Sequence, residues 1–129
     1  DMAIFKFTES IYKKKAITVY NHGNLKRDFT YIEDVVSHIE KLIKRKFLKH
    51  EILNIGNTKP VKVISLISIL EKVIGIKARI NYVKAPKTEV YKTCANISKL
   101  KRLNVVKKST TIKEGILNFI YWYKKYKKK

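Results

Sequence analysis

Helical patterns alternate with short β-type runs along this chain, and that alternation constrains its fold more than any other feature. Only four glycines and two prolines interrupt the sequence, so most of it is free to form regular structure. The alternation predicts an α/β domain in which short strands pack against helices. Helices are predicted at 2–13, after Thr30, after Ser65, at 97–103 and after Thr111; strands are predicted at 17–20, 52–55, 61–63 and 78–83.

Three helix starts and one helix end carry local signals. Two starts have the T-x-x-E spacing of a capping box, namely Thr30 with Glu33 and Thr111 with Glu114. Ser65 is predicted to cap the helix between them, and Gly75 is predicted to end that helix in a left-handed conformation.

Apolar residues at helical spacing predict a core-facing side on each of the three longer helices. These sides comprise Val35, Val36, Ile39, Leu42 and Ile43; Leu66, Ile67, Leu70, Val73 and Ile74; and Ile112, Ile116, Phe119, Ile120 and Tyr123. Tyr121 and Trp122 broaden the last stripe, which is typical of core and less often of a ligand platform.

Length and composition fit one small domain of 129 residues with 45% hydrophobic residues. The single cysteine, Cys94, excludes an internal disulfide and is expected to be partly buried. No apolar run is long enough to cross a membrane, and the first residues lack the pattern of a signal peptide. We therefore expect a cytoplasmic protein that does not associate with membranes.

The net charge of +20 would attract polyanions such as nucleic acid. However, only four of the 30 basic residues are arginine, the residue that forks onto bases and phosphates. A lysine, isoleucine and asparagine excess is also what an AT-rich coding sequence produces. We favour that origin over a nucleic-acid function, and a small phosphorylated ligand is an equally good acidic partner.

The sequence contains no glycine-rich phosphate loop and no zinc motif. His38 falls in an amphipathic helix and is expected at the surface or the core edge. One polar loop, 23–28, carries two cations between a strand and a helix. Its Arg27 could fork onto a phosphate, or it could pair with Asp28 or another nearby acid, and the residues alone leave both alternatives open.

Several segments together resemble the extended short-chain dehydrogenase/reductases of the NAD-dependent epimerase/dehydratase family, nearest to the UDP-glucuronate 4-epimerases of capsule and lipopolysaccharide pathways. The order Arg-Asp-Phe-Thr-Tyr-Ile at 27–32 is fairly specific to that superfamily, and Tyr-Asn-His-Gly at 20–23 points to the glucuronate group. Further similar segments are 53–57, 95–99 and 115–123, so the resemblance runs the length of the chain.

The resemblance implies that 1–129 is the small C-terminal, substrate-binding domain of such an epimerase. It implies that Tyr20 stacks on uracil, that Arg27 binds the diphosphate and that Glu89 bonds ribose hydroxyls. The chain departs from the family where Lys87-Thr88-Glu89 replaces Pro-Gly-Asp, and Lys87 could supply a point charge there. Asn96 also replaces the usual aspartate.

The family binds NAD through an N-terminal Rossmann domain that also holds a Tyr-x-x-x-Lys catalytic pair. The sequence has no glycine-rich NAD fingerprint, and Tyr123 and Lys127 stand at the end of the last predicted helix, outside the context of the family's pair. We therefore assign the chain no catalytic or cofactor-binding residue and expect it to be inactive alone. Apolar surface that packs against the Rossmann domain in the family is expected to be exposed, and family members often form homodimers. The alternatives are a non-catalytic UDP-sugar-binding remnant and a basic nucleic-acid-binding protein.

Overall fold

A computed structural model describes residues 3–46, 49–106 and 109–127 and has the predicted α/β fold. Its elements in chain order are α1 (Ala3–Tyr12), β1 (Ala16–Tyr20), β2 (Lys26–Arg27), α2 (Ile32–Ile43), β3 (Val61–Lys62), α3 (Val63–Ile74), β4 (Arg79–Val83), α4 (Ser98–Arg102) and α5 (Ile112–Tyr126). No helix in these described ranges is long and apolar enough to cross a membrane.

Two small sheets organise the strands. β1 pairs in parallel with β4, from Ala16 opposite Arg79 to Tyr20 opposite Val83. β2 pairs antiparallel with β3, which places Lys26 opposite Lys62. Parallel strands need a crossover connection. Here the crossover from β1 to β4 is the whole stretch from β2 to α3.

The main core forms where α1, α3 and α5 pack around β1. Its side chains are at most 3% exposed; they are Ile11, Ile17, Val19, Leu66, Ile67, Leu70, Ile116 and Ile120. β1 alternates exposed and buried residues, as expected for a strand with one face on the core. A smaller cluster of Ile97, Leu100 and Val105 forms beside α4, and Leu42 of α2 packs against it.

The α5 start and the α3 end are confirmed. The Thr111 hydroxyl accepts a hydrogen bond from the Glu114 amide at 3.3 Å, and the Glu114 carboxylate accepts from the Thr111 amide at 2.9 Å. Gly75 follows α3 with φ 80°, a left-handed conformation that suits glycine. The amide of Gly75 donates to the Glu71 carbonyl at 2.8 Å.

The other two predicted caps are wrong. α2 begins at Ile32, and its N-cap residue Tyr31 makes no side-chain capping bond. α3 begins at Val63, ahead of Ser65, directly after β3. The Val63 amide donates to the Leu25 carbonyl at 3.0 Å, so the residue before β2 satisfies the first amide of this helix.

The predicted strand at 52–55 is also wrong, because this segment forms no strand pairing. Leu53 and Ile55 instead pack against the cluster beside α4. The Asn54 amide group donates to the Asn96 carbonyl at 3.3 Å. Burial alternates along 52–55 as it would in a strand, but it results from packing of Leu53 and Ile55 and not from pairing with another strand.

Burial differs from expectation at several positions. Cys94, expected to be partly buried, is exposed. His38, predicted at the surface or the core edge, is buried, with its Nδ1 2.5 Å from the Asp34 carbonyl oxygen, so only the surface alternative is wrong. Tyr121 and Trp122 are 65% and 48% exposed, because α5 turns only its predicted stripe toward the core.

The outer side of α2 is apolar and exposed. Ile32, Val36, Ile39 and Ile43, here termed the α2 stripe, are 64%, 45%, 43% and 78% exposed. Val36, Ile39 and Ile43 were predicted to face the core and are exposed, whereas the other two residues of the predicted face, Val35 and Leu42, are partly buried. Exposed apolar surface was also expected from the family resemblance, and the α2 stripe is such a surface.

Candidate functional site

The carboxyl ends of β1 and β4 lie at one edge of the sheet, because the two strands are parallel. Ligands of α/β proteins commonly bind at that edge. β1 ends at Tyr20, whose side chain is 39% exposed, and continues into the turn at 21–23. β4 ends at Val83 and continues into the irregular segment 84–96.

The turn after Tyr20 has an unusual backbone. Asn21, His22 and Gly23 have φ angles of 47°, 51° and 74°, in the left-handed region. A Cβ on Gly23 would lie 2.6 Å from the Cβ of Ile64, so glycine lets this turn pack against α3. The His22 ring lies 5.3 Å from the ring of Tyr82 on β4, which ties the turn to the neighbouring strand.

The segment after β4 returns beside β2. The Lys26 amide donates to the Tyr91 carbonyl at 2.9 Å, and the Thr93 amide donates to the Lys26 carbonyl at 3.1 Å. β2 therefore has hydrogen-bonded neighbours on both sides, β3 on one and 91–93 on the other. These bonds bring the segment that carries Glu89 next to Arg27.

The Arg27 guanidinium connects β2 to that segment. Its Nη1 donates to the Val90 carbonyl at 2.7 Å and to the Lys26 carbonyl at 2.9 Å. Its Nη2 donates to the Glu89 carboxylate and forms an ion pair with it. The side chains of Arg27 and Glu89 are 24% and 29% exposed, so solvent reaches the pair only in part.

The structure thus brings together two of the four predicted site residues. The sequence left open whether Arg27 binds a phosphate or pairs with a nearby acid. In the structure Arg27 pairs with an acid, and that acid is Glu89 and not Asp28. Lys87 is exposed in the turn before Glu89, whose amide donates to the Pro86 carbonyl at 3.0 Å. Within the described residues, no hydrogen bond, ion pair or ring contact joins Tyr20 or Lys87 to the Arg27–Glu89 pair.

Asp28 holds the site together, which the sequence analysis missed. Its Oδ2 accepts hydrogen bonds from the Ala95 amide at 2.9 Å and the Thr58 amide at 3.1 Å. The Asp28 amide donates to the Thr93 hydroxyl at 3.1 Å. A Cβ on Gly56 would lie 2.3 Å from the Cβ of Ala95, so glycine permits this close approach. The sequence signal that could have pointed to this role is the position of Asp28, an acid directly after Arg27 in the polar loop.

Lysines give this region a positive potential. Lys26 lies opposite Lys62 in the β2–β3 pair, and on its other side its backbone forms a parallel β-bridge with Lys92. Like charges on paired strands repel one another, and an anion bound nearby would relieve that repulsion. The region is therefore suited to a negatively charged ligand.

A second basic region lies where the ends of α1 and α5 meet. The rings of Tyr12 and Tyr123 stack at 5.6 Å, and Lys127 and Lys13 both contact Glu9. The hydrogen bond from Lys13, followed by its charge, lowers the pKa of the Glu9 carboxyl. The remaining lysines here are Lys14, Lys15, Lys124 and Lys125. One acid among so many cations makes this end strongly positive.

An apolar groove of about 690 Å³ lies between α1, α5 and 29–33. Its lining includes Phe5, Tyr31, Phe119 and Trp122, and it contains none of the predicted site residues. In the described ranges, no group of three or more His, Cys, Asp or Glu side chains could hold a metal ion. The residues predicted to bind the ligand therefore lie outside this groove.

Comparisons with known proteins show which sequences and structures this chain is similar to. Residues 1–56 match the NAD dependent epimerase/dehydratase family. The chain is 38% identical to Protein CapI of Staphylococcus aureus over 146 aligned positions, covering 100% of this chain and 44% of CapI. It is 41% identical to UDP-glucuronate 4-epimerase 2 of Arabidopsis thaliana, covering 99% of this chain and 33% of that protein. The chain thus spans less than half the length of these relatives.

The fold is shared with solved structures. The UDP-glucuronic acid 4-epimerase of Bacillus cereus, in complex with UDP-glucuronic acid and NAD, aligns with a TM-score of 0.81 and 30% identity over 90% of this chain and 37% of that one. The family match at 1–56, the alignment with UDP-glucuronate 4-epimerases along nearly the whole chain and the shared fold together show that this chain is similar to proteins of the NAD dependent epimerase/dehydratase family.

Proposed function

We propose that this chain is the C-terminal, UDP-sugar-binding domain of a nucleotide-sugar epimerase that resembles UDP-glucuronate 4-epimerase. The observation that carries the proposal is the Arg27–Glu89 pair at the carboxyl edge of β1 and β4, in a chain aligned throughout with such epimerases. A guanidinium suits the forked geometry of a diphosphate, and a carboxylate accepts hydrogen bonds from hydroxyl groups.

Each predicted residue has a role in this proposal. Tyr20 stacks on the uracil, because its ring is exposed at the end of β1. Arg27 binds the diphosphate, and Glu89 accepts hydrogen bonds from ribose hydroxyls. Lys87, exposed in the adjacent turn, adds a point charge that draws the anion toward the site.

The proposal assigns NAD and hydride transfer to the rest of the intact enzyme. The Bacillus cereus relative holds NAD in its structure, whereas this sequence contains no glycine-rich NAD motif. This chain would bind and orient the sugar nucleotide without turning it over alone. A cytoplasmic location and a homodimeric assembly remain predictions.

The α2 stripe supports a larger assembly. Four exposed isoleucine and valine side chains on one helix face are costly in water, and burial against another domain would remove that cost. We propose that a Rossmann domain, in the same or a separate chain, covers this surface. A non-catalytic UDP-sugar-binding remnant has the same binding site and differs only in lacking such a partner.

Calorimetric titration of the chain with UDP tests the proposed site. We expect Arg27→Ala to weaken UDP binding by about 10- to 100-fold, because charged hydrogen bonds to the diphosphate are lost. Arg45→Ala is the matched control, since Arg45 also donates to a carbonyl, that of Leu103 at 3.1 Å, but lies at the end of α2. Both variants are compared by thermal melting to verify folding. Equal UDP affinity in the parent and Arg27→Ala would refute the diphosphate role.

The salt dependence of binding distinguishes the proposed UDP site from the remaining alternative, a basic nucleic-acid-binding protein. The lysines at the ends of α1 and α5 favour a polyanion, and binding to a nucleic-acid backbone weakens steeply as salt increases. A single diphosphate site responds weakly in comparison. Tight, steeply salt-dependent binding of single-stranded nucleic acid, together with no UDP binding, would favour the nucleic-acid function.

A further inference from the structure

The acidic partner of Arg27 controls which anions can reach it. The Arg27 guanidinium already bonds the Glu89 carboxylate and two backbone carbonyls, so an incoming phosphate must approach beside a fixed negative charge. The pair is only partly exposed, and repulsion between the two anions is correspondingly less screened by water.

Glu89 has little freedom to move away from Arg27. The turn before it is closed by its own amide hydrogen bond to Pro86, at 3.0 Å. Just after it, the Val90 carbonyl accepts from Arg27 at 2.7 Å, and the Tyr91 carbonyl accepts from Lys26 at 2.9 Å. The backbone on both sides is therefore held, which keeps the Glu89 carboxylate within reach of the guanidinium.

A carboxylate in this position distinguishes between two kinds of anion. Inorganic pyrophosphate is highly charged at neutral pH and has few P–OH donors, so its repulsion from Glu89 outweighs the hydrogen bonding that it can offer the carboxylate. A phosphate ester that carries vicinal hydroxyl groups can instead donate hydrogen bonds to Glu89 while its phosphate contacts Arg27. The two kinds of ligand carry similar charge, so the discrimination comes from hydroxyl donors.

We propose that Glu89 is a specificity-determining residue that excludes bare inorganic anions from Arg27 and admits phosphate esters of polyols, such as nucleoside diphosphates. The proposal rests on the proposed function, because it takes the Arg27 site to be a nucleotide site. It adds that the free chain discriminates against the inorganic anions that accompany nucleotides in the cell.

The test is calorimetric titration of the full chain with UDP and with inorganic pyrophosphate at matched ionic strength. Glu89→Gln removes the charge and keeps the shape of the side chain. We expect it to bind pyrophosphate at least ten-fold more tightly than the parent and to lower the preference for UDP over pyrophosphate at least ten-fold. Glu51→Gln, an exposed acid outside the site, is the control for net charge.

A second variant guards against misfolding of the first. Glu89→Asp keeps the charge and the family's residue type, so it is expected to retain the exclusion of pyrophosphate. Thermal melting of each variant verifies that it is folded. If Glu89→Gln does not fold, loss of exclusion in Glu89→Ala supports the proposal and retained exclusion overturns it.

The outcomes separate this inference from the proposed function. If the parent binds UDP in an Arg27-dependent manner and Glu89→Gln leaves the UDP preference unchanged, the inference is overturned and the proposed function stands. If the parent does not bind UDP but Glu89→Gln gains pyrophosphate binding, the proposed function fails and the exclusion by Glu89 stands. If no variant binds either ligand, both are overturned.

Discussion

The helices α2 and α3 are each twelve residues long and carry similar apolar spacing, yet they are buried to very different extents. On α3, Leu66, Ile67 and Leu70 are at most 1% exposed, because α1, α5 and β1 surround them. On α2, Ile32 and Ile43 are 64% and 78% exposed. Helical spacing thus predicts that a face is apolar, but the neighbouring elements decide whether it becomes core.

The same contrast separates the stability of the domain from its assembly. Residues on α3 stabilise the fold described here, since they fill its main core. Residues of the α2 stripe contribute little to that fold and are free to bind another surface. Substitutions on the two helices are therefore expected to affect different measurements.

The largest expected effect is on the core side of this contrast. Leu70→Ala leaves a cavity beside α1 and α5 and is expected to lower the free energy of unfolding by about 2–5 kcal/mol. Ile43→Ala, a similar truncation on the α2 stripe, is expected to change it by less than about 0.5 kcal/mol. Urea unfolding followed by circular dichroism measures both. Similar losses for the two variants would contradict the assignment of α3 as core and α2 as surface.

A smaller effect is expected at the helix starts. Thr111→Ala removes the side-chain cap of α5 and is expected to lower the free energy of unfolding by about 1 kcal/mol. Thr30→Ala lies at the start of α2, where the structure shows no side-chain cap, and is expected to have an effect below about 0.5 kcal/mol. Urea unfolding measures the free energy of unfolding of both variants. A larger loss from Thr30→Ala than from Thr111→Ala would show that Thr30 caps α2 after all.

The smallest effect on stability is expected from the α2 stripe itself. The double variant Ile32→Lys, Ile43→Lys places charge where these side chains are mostly exposed, so the melting temperature is expected to change little. Self-association through the stripe is expected to decrease, because two apolar side chains are replaced by charges. Sedimentation velocity measures this, and a parent chain that is monomeric at all concentrations would show that the stripe does not drive association.

The sequence was informative where structure depends on near neighbours. The Thr111–Glu114 cap and the Gly75 helix end were both predicted correctly, because each is formed by residues a few positions apart. The apolar stripes of α3 and α5 were also predicted correctly. The Thr30–Glu33 cap has the same spacing and did not form. Asp34, in the first turn of α2, instead accepts hydrogen bonds from Thr110, a residue far away in sequence.

The candidate site shows the same division. Arg27 and Glu89 were each named from the sequence, but their ion pair depends on 91–93 returning beside β2. The role of Asp28 was not predicted, because its partners Thr58 and Ala95 belong to two other segments. The functional roles of Tyr20 and Lys87 stay predictions.

The sequence by itself determined the α/β class, the resemblance to the epimerase/dehydratase family and most helices, since these follow from local spacing and from ordered motifs. The tertiary structure alone decided which apolar faces are buried, that 52–55 forms no strand, and that Arg27 meets Glu89. The physical reason is that burial, strand pairing and ion pairing each need a partner distant in sequence, and one chain segment does not specify its partner.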